Sequence, residues 1–472
     1  MKNLYKSAIS VLCILLISVC LPSRVNTVNC LNNSLLFQSD YESINQTKTP
    51  FYEQINYIQM LSLHQESKRI VSDKKELMLS MEQKKKAANK DINKEVNKDV
   101  KKDINNDVRK SNKKDVGIDG DKEVGTSEDN KLTLVSVGDD LIHTGIIQRA
   151  SLENGTYNFD FLFKNVLDEI KTADVAMINQ ETILCDSSLG YTGYPLFGSP
   201  YAVGQAAEKA GFDVILHATN HTLDKGVKGI TETIEFWEKY NNIDVAGIHE
   251  SEKLEERVVI REVKGIKLAI LNYTYGMNGL VLPKDKGYMV SLLSNRKQMK
   301  EDIRYAKKHA DFVIVCPHWG TEYVYEPNKQ QKDLAQFFAD EEVDLVIGTH
   351  PHVLQPVKWL KNSKGTHKTL VYYSLGNFVS SQDKVPRLLG GMAKVELIRK
   401  NGQVVIKHAE IKPIVTHMEY GTKYRYGTYL LEDYTDQLAR KHDFNQKNRG
   451  SVSVAKFENL SSDILGKWFK KK

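Results

Sequence analysis

Lys131-Leu132-Thr133-Leu134-Val135-Ser136-Val137-Gly138-Asp139-Asp140 is the stretch at which a globular pattern begins. Its apolar run, Leu132–Val137, closes on a glycine and two carboxylates. Six further runs of this kind follow: Val175–Ile178, Val214–Leu216, Leu268–Leu271, Phe312–Val315, Leu345–Ile347 and Leu370–Tyr373. Between them lie stretches of helical character: Phe159–Thr172, Tyr201–Ala210, Val227–Tyr240, Leu292–Lys308 and Lys329–Glu341. Strand alternating with helix implies parallel strands covered by helices on both faces, so the class is α/β. After Gly390 only strands follow, Met392–Arg399 and Val404–Val415, which read as hairpin strands extending a sheet.

In open α/β sheets, ligands bind just past the carboxyl ends of the strands. Six of the seven runs end in polar residues of one kind. Asp139 and Asp140 follow the first, and Asn179-Gln180-Glu181 the second. Asn220-His221 follow the third, with Asp224 and Gly226 beyond. His318-Trp319-Gly320 and Glu322-Tyr323 follow the Phe312 run. Gly348-Thr349-His350-Pro351-His352 follow the Leu345 run, and Ser374-Leu375-Gly376-Asn377-Phe378 the Leu370 run. Each residue alone has an ordinary explanation: an aspartate caps a helix, an asparagine turns the chain, a histidine fills a core. Together at one sheet edge they describe a site. Imidazole and carboxylate suit divalent zinc, manganese or iron. Two ions about 3.5–4 Å apart need a bridging carboxylate and ligands from several strands. His350 and His352 stand two apart around Pro351, and an extended segment would point both rings the same way.

This ordered series resembles the CapA (PgsA) family of poly-γ-glutamate capsule synthesis proteins, over about residues 131–415. The resemblance implies the calcineurin-like metallophosphoesterase fold, a four-layer sandwich of two sheets between helices. Carried over by motif, it implies Asp139, Glu181 (bridging), Asn220, His318, His350 and His352 as ligands of two divalent ions, with His221 protonating the leaving group. Asp224, Glu322 and Asn377 stand in family motifs; the last two have no counterpart in the phosphoesterase site. One departure is local. Phosphoesterases of this fold carry Asp-x-His at the first strand, but residues 139–141 read Asp-Asp-Leu and His143 comes two positions late. The implied role is in making, exporting or attaching poly-γ-glutamate beside membrane-embedded synthesis subunits. The site would act either as a hydrolase of phosphoester or γ-glutamyl amide bonds, or as a non-catalytic metal- and polyanion-binding subunit.

Outward from this domain the chain changes character. Lys2 and Lys6 precede an uncharged apolar run, Ala8–Leu21, which suits a signal-peptide core or an uncleaved anchor. Lipidation at Cys20 is the weaker reading, because Val19 stands where a small residue is needed. Residues 1–24 therefore predict export and anchoring at the outer face of the cytoplasmic membrane. Residues 25–130 read as a spacer. From Asp91 onward an acidic residue and a β-branched one recur every four positions, and that period drifts around a helix without building an apolar face. Residues 416–472 read as a helical extension with a basic end. Five cysteines show no CxxC pair or even framework; Cys185 and Cys316 could pair only if the fold brings them together. A net charge of +6 over 66 basic and 60 acidic residues does not argue for nucleic acid as a partner.

Overall fold

The structure, a computed structural model, describes residues 131–419, 425–447 and 451–471. The anchor and spacer expected within residues 1–130 lie outside the described residues. In chain order the strands are β1 (Lys131–Asp140), β2 (Val175–Gln180), β3 (Leu184–Cys185), β4 (Ser199–Pro200), β5 (Val214–Leu216), β6 (Asp244–Ala246), β7 (Val259–Val263) and β8 (Ile266–Thr274). They continue with β9 (Phe312–His318), β10 (Leu345–Ile347), β11 (Val357–Lys361), β12 (Lys368–Tyr372), β13 (Asn377–Val379), β14 (Leu389–Lys400), β15 (Gln403–Glu419) and β16 (Arg425–Leu430).

Two large sheets result. The first runs β16-β15-β14-β1-β2-β5-β6, with β13 added beside β1. The second runs β11-β12-β10-β9-β8-β7. Every apolar run read from the sequence is a strand here, and β1, β2, β5 and β6 are parallel, as are β8, β9, β10 and β12. Antiparallel strands flank both parallel sets. The β14–β15 hairpin pairs β1 along its length, turning through Asn401 and Gly402, both at positive φ.

Alternation along the strands sorts the side chains into layers. Leu132, Leu134, Val175 and Met177 of the first sheet share one core with Leu268, Ile270, Phe312 and Ile314 of the second. The intervening residues face outward. Val135, Val137, Ala176 and Ile178 pack under Val203, Ala207 and Phe236 of the helices Tyr201–Ala210 and Gly226–Trp237. Ala269, Leu271, Val313 and Val315 pack under Met299, Ile303, Leu334 and Phe338 of Arg296–His309 and Lys329–Asp340. The order is helix, sheet, sheet, helix, the four-layer α/β arrangement that was expected.

Three expectations are corrected. Phe159–Thr172 is not one helix but a 3-10 turn, Asp160–Leu162, and a short helix, Leu167–Lys171. Its apolar spacing is satisfied by core packing, while Asn165 leaves the helical path to bridge Tyr429 on β16. The helix expected from Leu292 begins at Arg296, where the Asn295 side chain caps it and Leu292 bridges Thr274 instead. The boundary at 415 falls inside β15, and Tyr434, Phe444, Phe457 and Leu465 beyond it belong to the inter-sheet core. Cys185 and Cys316 are both buried with free thiols. Among the described residues no helix is long and apolar enough to cross a membrane.

Candidate metal centre

Close backbone approach sets the strand ends. A Cβ on Gly138 would meet the Gly376 carbonyl oxygen at 1.9 Å, and one on Gly348 the Tyr373 oxygen at 2.1 Å. Only glycine lets these segments approach so closely. As a result Asp139 stands beside Asn179 on β2 and Asn377 on β13, while His318, at the end of β9, bridges Thr349. The carboxyl ends of both sheets open on the same space.

Asp139, Glu181, Asn220, His318, His350 and His352 all reach it, and all are buried. One ligand atom each from Asp139, Glu181 and His352 lie within 4.8 Å of one another, and so do atoms from Glu181, His318 and His350. Glu181 is common to both groups. Half-buried Glu322 forms a third group with His350 and His352 at the rim. Asn220 joins through its side-chain oxygen, 2.8 Å from His318 Nε2. His221 stands alongside, its Nδ1 2.7 Å from Asp224 Oδ2, and Asp224 also accepts the Phe197 amide at 2.7 Å. Asn377 Oδ1 lies 3.0 Å from His352 Nδ1.

The histidine pair converges for a different reason than the extended one expected. His350 and His352 have φ of 97° and 57°, both left-handed. Such a backbone costs on the order of 1–3 kcal/mol per residue and persists where its surroundings enforce it. Here the His350 amide is held 3.3 Å from both Asp139 oxygens. Tyr275 packs on His350, Tyr323 on His352 and Phe197 on His221, with ring centroids 4.7, 5.8 and 4.6 Å apart.

The donor set fits a divalent cation. Among the described residues neither Glu181 oxygen nor His350 Nδ1 has a hydrogen-bond partner, although all are buried. An unpaired buried carboxylate is expensive unless a positive charge sits beside it. Burial pushes the Glu181 carboxyl well above its ordinary range, against the pull of His352. Burial holds His318 and His350 well below the ordinary histidine value. For His352 burial also pulls downward, but Glu181 and Asp139 outweigh it and raise the imidazole to about 9. Neutral His318 and His350 present lone pairs, as a metal requires. At the Asp-x-His position Leu141 is buried, and His143 packs on Phe197 at 5.2 Å, outside the three groups.

Asn179, named at the end of the second run, also enters the site, and sequence reasoning passed over two further neighbours, Tyr275 and Asn278. Asn179 Nδ2 donates to Asp139 Oδ1 at 2.9 Å and lies 3.5 Å from His318 Nδ1. Tyr275 and Asn278 follow β8, and Asn278 Oδ1 accepts from Asn220 Nδ2 at 3.2 Å. The strand-end rule would have found them had the Leu268 run been carried to Thr274, where β8 ends.

A family model described as bacterial capsule synthesis protein PGA_cap matches residues 133–382. The capsule biosynthesis protein CapA of Bacillus anthracis is 29% identical over 313 residues, 63% of this chain and 73% of that protein. The PGA biosynthesis protein CapA of Bacillus subtilis (strain 168) is 32% identical over 217 residues, 44% of this chain and 51% of that protein. The solved calcineurin-like phosphoesterase YfkN from Bacillus subtilis aligns over 60% of this chain and 90% of its own, at 13% identity and a TM-score of 0.36.

Proposed function

This chain belongs to the bacterial capsule synthesis protein family PGA_cap, and from that premise we propose that its strand-edge cluster is a divalent-metal centre acting hydrolytically in the synthesis, export or attachment of an anionic capsule polymer, poly-γ-glutamate. Glu181 carries the reading: a buried carboxylate, neither oxygen with a hydrogen-bond partner among the described residues, shared by two ligand groups. Asp139 and His352 complete one group, His318 and His350 the other, with Asn220 beside His318. A divalent ion there would supply Lewis acidity to a phosphoryl or acyl oxygen and to a water.

The remaining work falls to side chains. Asp224 takes the Nδ1 side of His221, so Nε2 is the nitrogen left to protonate a departing oxygen or nitrogen. Tyr275 and Tyr323 wall the cleft over His350 and His352. The domain, 131–415 with its C-terminal additions, would work at the outer face of the cytoplasmic membrane, held by residues 1–24 through the charged spacer 25–130 and beside membrane-embedded synthesis subunits.

A second reading, a non-catalytic metal- and polyanion-binding subunit, is favoured by one observation. Leu141 occupies the place of the Asp-x-His histidine, and His143 stays outside the ligand groups. Metal analysis of the purified chain, with assays on phosphoesters and γ-glutamyl chains, separates the two. Metal-dependent hydrolysis that disappears in Glu181→Gln supports the enzyme. Bound metal without hydrolysis of either bond supports the accessory subunit, and a chain that binds no divalent metal refutes both.

A further inference from the structure

Asn377 opens β13 directly beside Asp139, and its place is rigid: a Cβ on Gly390 would come within 2.0 Å of its carbonyl oxygen. Its side-chain amide can be oriented from its surroundings. Nδ2 lies 2.9 Å from the Arg387 carbonyl oxygen, which can only accept, and 3.0 Å from both Ser380 Oγ and Gln382 Oε1. The nitrogen therefore belongs on that side, and the oxygen is turned the other way, 3.0 Å from His352 Nδ1.

A second acceptor, Asp139 Oδ2, lies 3.2 Å from the same ring nitrogen. A lone pair on Nδ1 would face two oxygens with nothing to share, so Nδ1 carries the proton. The opposite nitrogen, Nε2, is turned to Glu181 Oε1 at 3.7 Å. Tyr323 packs on the same imidazole and is itself covered by the Arg387 guanidinium, 3.5 Å from its ring centroid. The segment that accepts from the Asn377 amide thus also backs the ring.

We propose that Asn377 is a positioning residue: its side-chain oxygen accepts the hydrogen bond from Nδ1–H of His352 and thereby presents Nε2 as the nitrogen that binds the ion shared with Glu181. The proposal rests on the metal reading above and gives a purpose to a motif residue that has no counterpart in the phosphoesterase ligand set. Partners of this kind, which fix the tautomer and direction of a ligating imidazole, change metal affinity about 10–100-fold when removed.

The test uses the full chain loaded with Zn²⁺ and labelled with ¹⁵N-histidine. In the unmutated protein the His352 signal should show a slowly exchanging proton on Nδ1 and the metal on Nε2; the reverse assignment overturns the proposal without any variant being made. Zn²⁺ titration calorimetry then compares Asn377→Ala with Asn377→Asp, which keeps an oxygen toward His352. Affinity should fall about 10–100-fold in the first and recover most of that loss in the second, with the Nδ1 proton exchanging fast only in the first. Equal affinities for Asn377→Ala and the unmutated chain overturn the positioning role while leaving the metal centre standing. A chain that binds no Zn²⁺ removes the metal reading, and the proposal with it.

Discussion

His221 Nδ1 and Asp224 Oδ2 stand 2.7 Å apart, in a turn where Asp224 also accepts the Phe197 amide. They stand three positions apart in sequence, so the dyad is set by local backbone rather than by the distant contacts that build the ligand groups. Its proposed work is proton transfer. His221→Ala should therefore lower turnover by roughly 10²–10⁴-fold while metal content stays near that of the unmutated chain. Asp224→Ala should lower turnover less, because the ring remains but loses the acceptor that fixes its tautomer. Loss of metal in His221→Ala would move that residue into the ligand set.

Glu181→Gln should act in opposite directions with and without metal. In chelator the variant should melt higher, because it removes a buried carboxylate whose charged form burial disfavours. With metal present the order should reverse, since an ion at 100 times its dissociation constant stabilises by about 2.7 kcal/mol and the variant lacks its shared ligand. Melting curves recorded both ways decide it, and a variant that melts lower in chelator would show that Glu181 has a structural partner.

Deleting residues 82–130 should leave the melting temperature of the rest of the chain within a few degrees of its value in the intact protein. A stretch so rich in charge has little apolar area to bury. A large drop would mean that the four-residue repeat packs against something.

Much of this site was legible because strand ends announce themselves: β-branched runs, then Gly138 or Gly348, then carboxylate or imidazole. The positions hidden from sequence are those fixed by the third dimension. Nothing local predicts that Asn165 leaves a helical pattern to bridge Tyr429, or that His350 and His352 converge through left-handed backbone. Asn278 was missed because it lies beyond the polar end of β8, Asn272-Tyr273-Thr274, which does not look like strand. The strand pairing beyond 415 was missed because the edge strand β16, Arg425-Tyr426-Gly427-Thr428-Tyr429-Leu430, carries an arginine, a glycine and a threonine where the strands read from sequence are apolar runs.

Asp140 points away from its neighbour's chemistry. It is fully buried, neither oxygen has a hydrogen-bond partner among the described residues, and burial raises it from 3.8 to about 8. A carboxyl with a raised folded-state value binds its proton more tightly when folded. Its stability contribution is therefore complete below about pH 4 and is lost as pH rises toward 8. At pH 8 in chelator, Asp140→Asn should exceed the unmutated protein in unfolding free energy by a few kcal/mol, with the gap closing near pH 4. A gap that does not change with pH would count against a buried, proton-binding carboxyl at this position.

His217 is an imidazole outside the ligand groups. It is buried, and Trp237 Nε1 donates to its Nε2 at 2.9 Å. An indole nitrogen can only donate, so Nε2 must stay unprotonated for that bond to exist. Burial accordingly lowers the imidazole from 6.5 to about 3. Between those values the unfolded chain binds the proton and the folded one does not. Stability is then complete above about pH 6.5 and declines as pH falls, by up to about 1.4 kcal/mol for each pH unit from this group. His217→Gln can keep an acceptor toward Trp237 but cannot take up a proton. Its unfolding free energy, measured by urea titration at pH 7, 5.5 and 4.5, should start below that of the unmutated chain and fall less steeply, by about one proton's worth of slope. Parallel lines for the two proteins would show that His217 protonates in the folded state as easily as in the unfolded one, and the Trp237 bond would then lose its claim to hold it neutral.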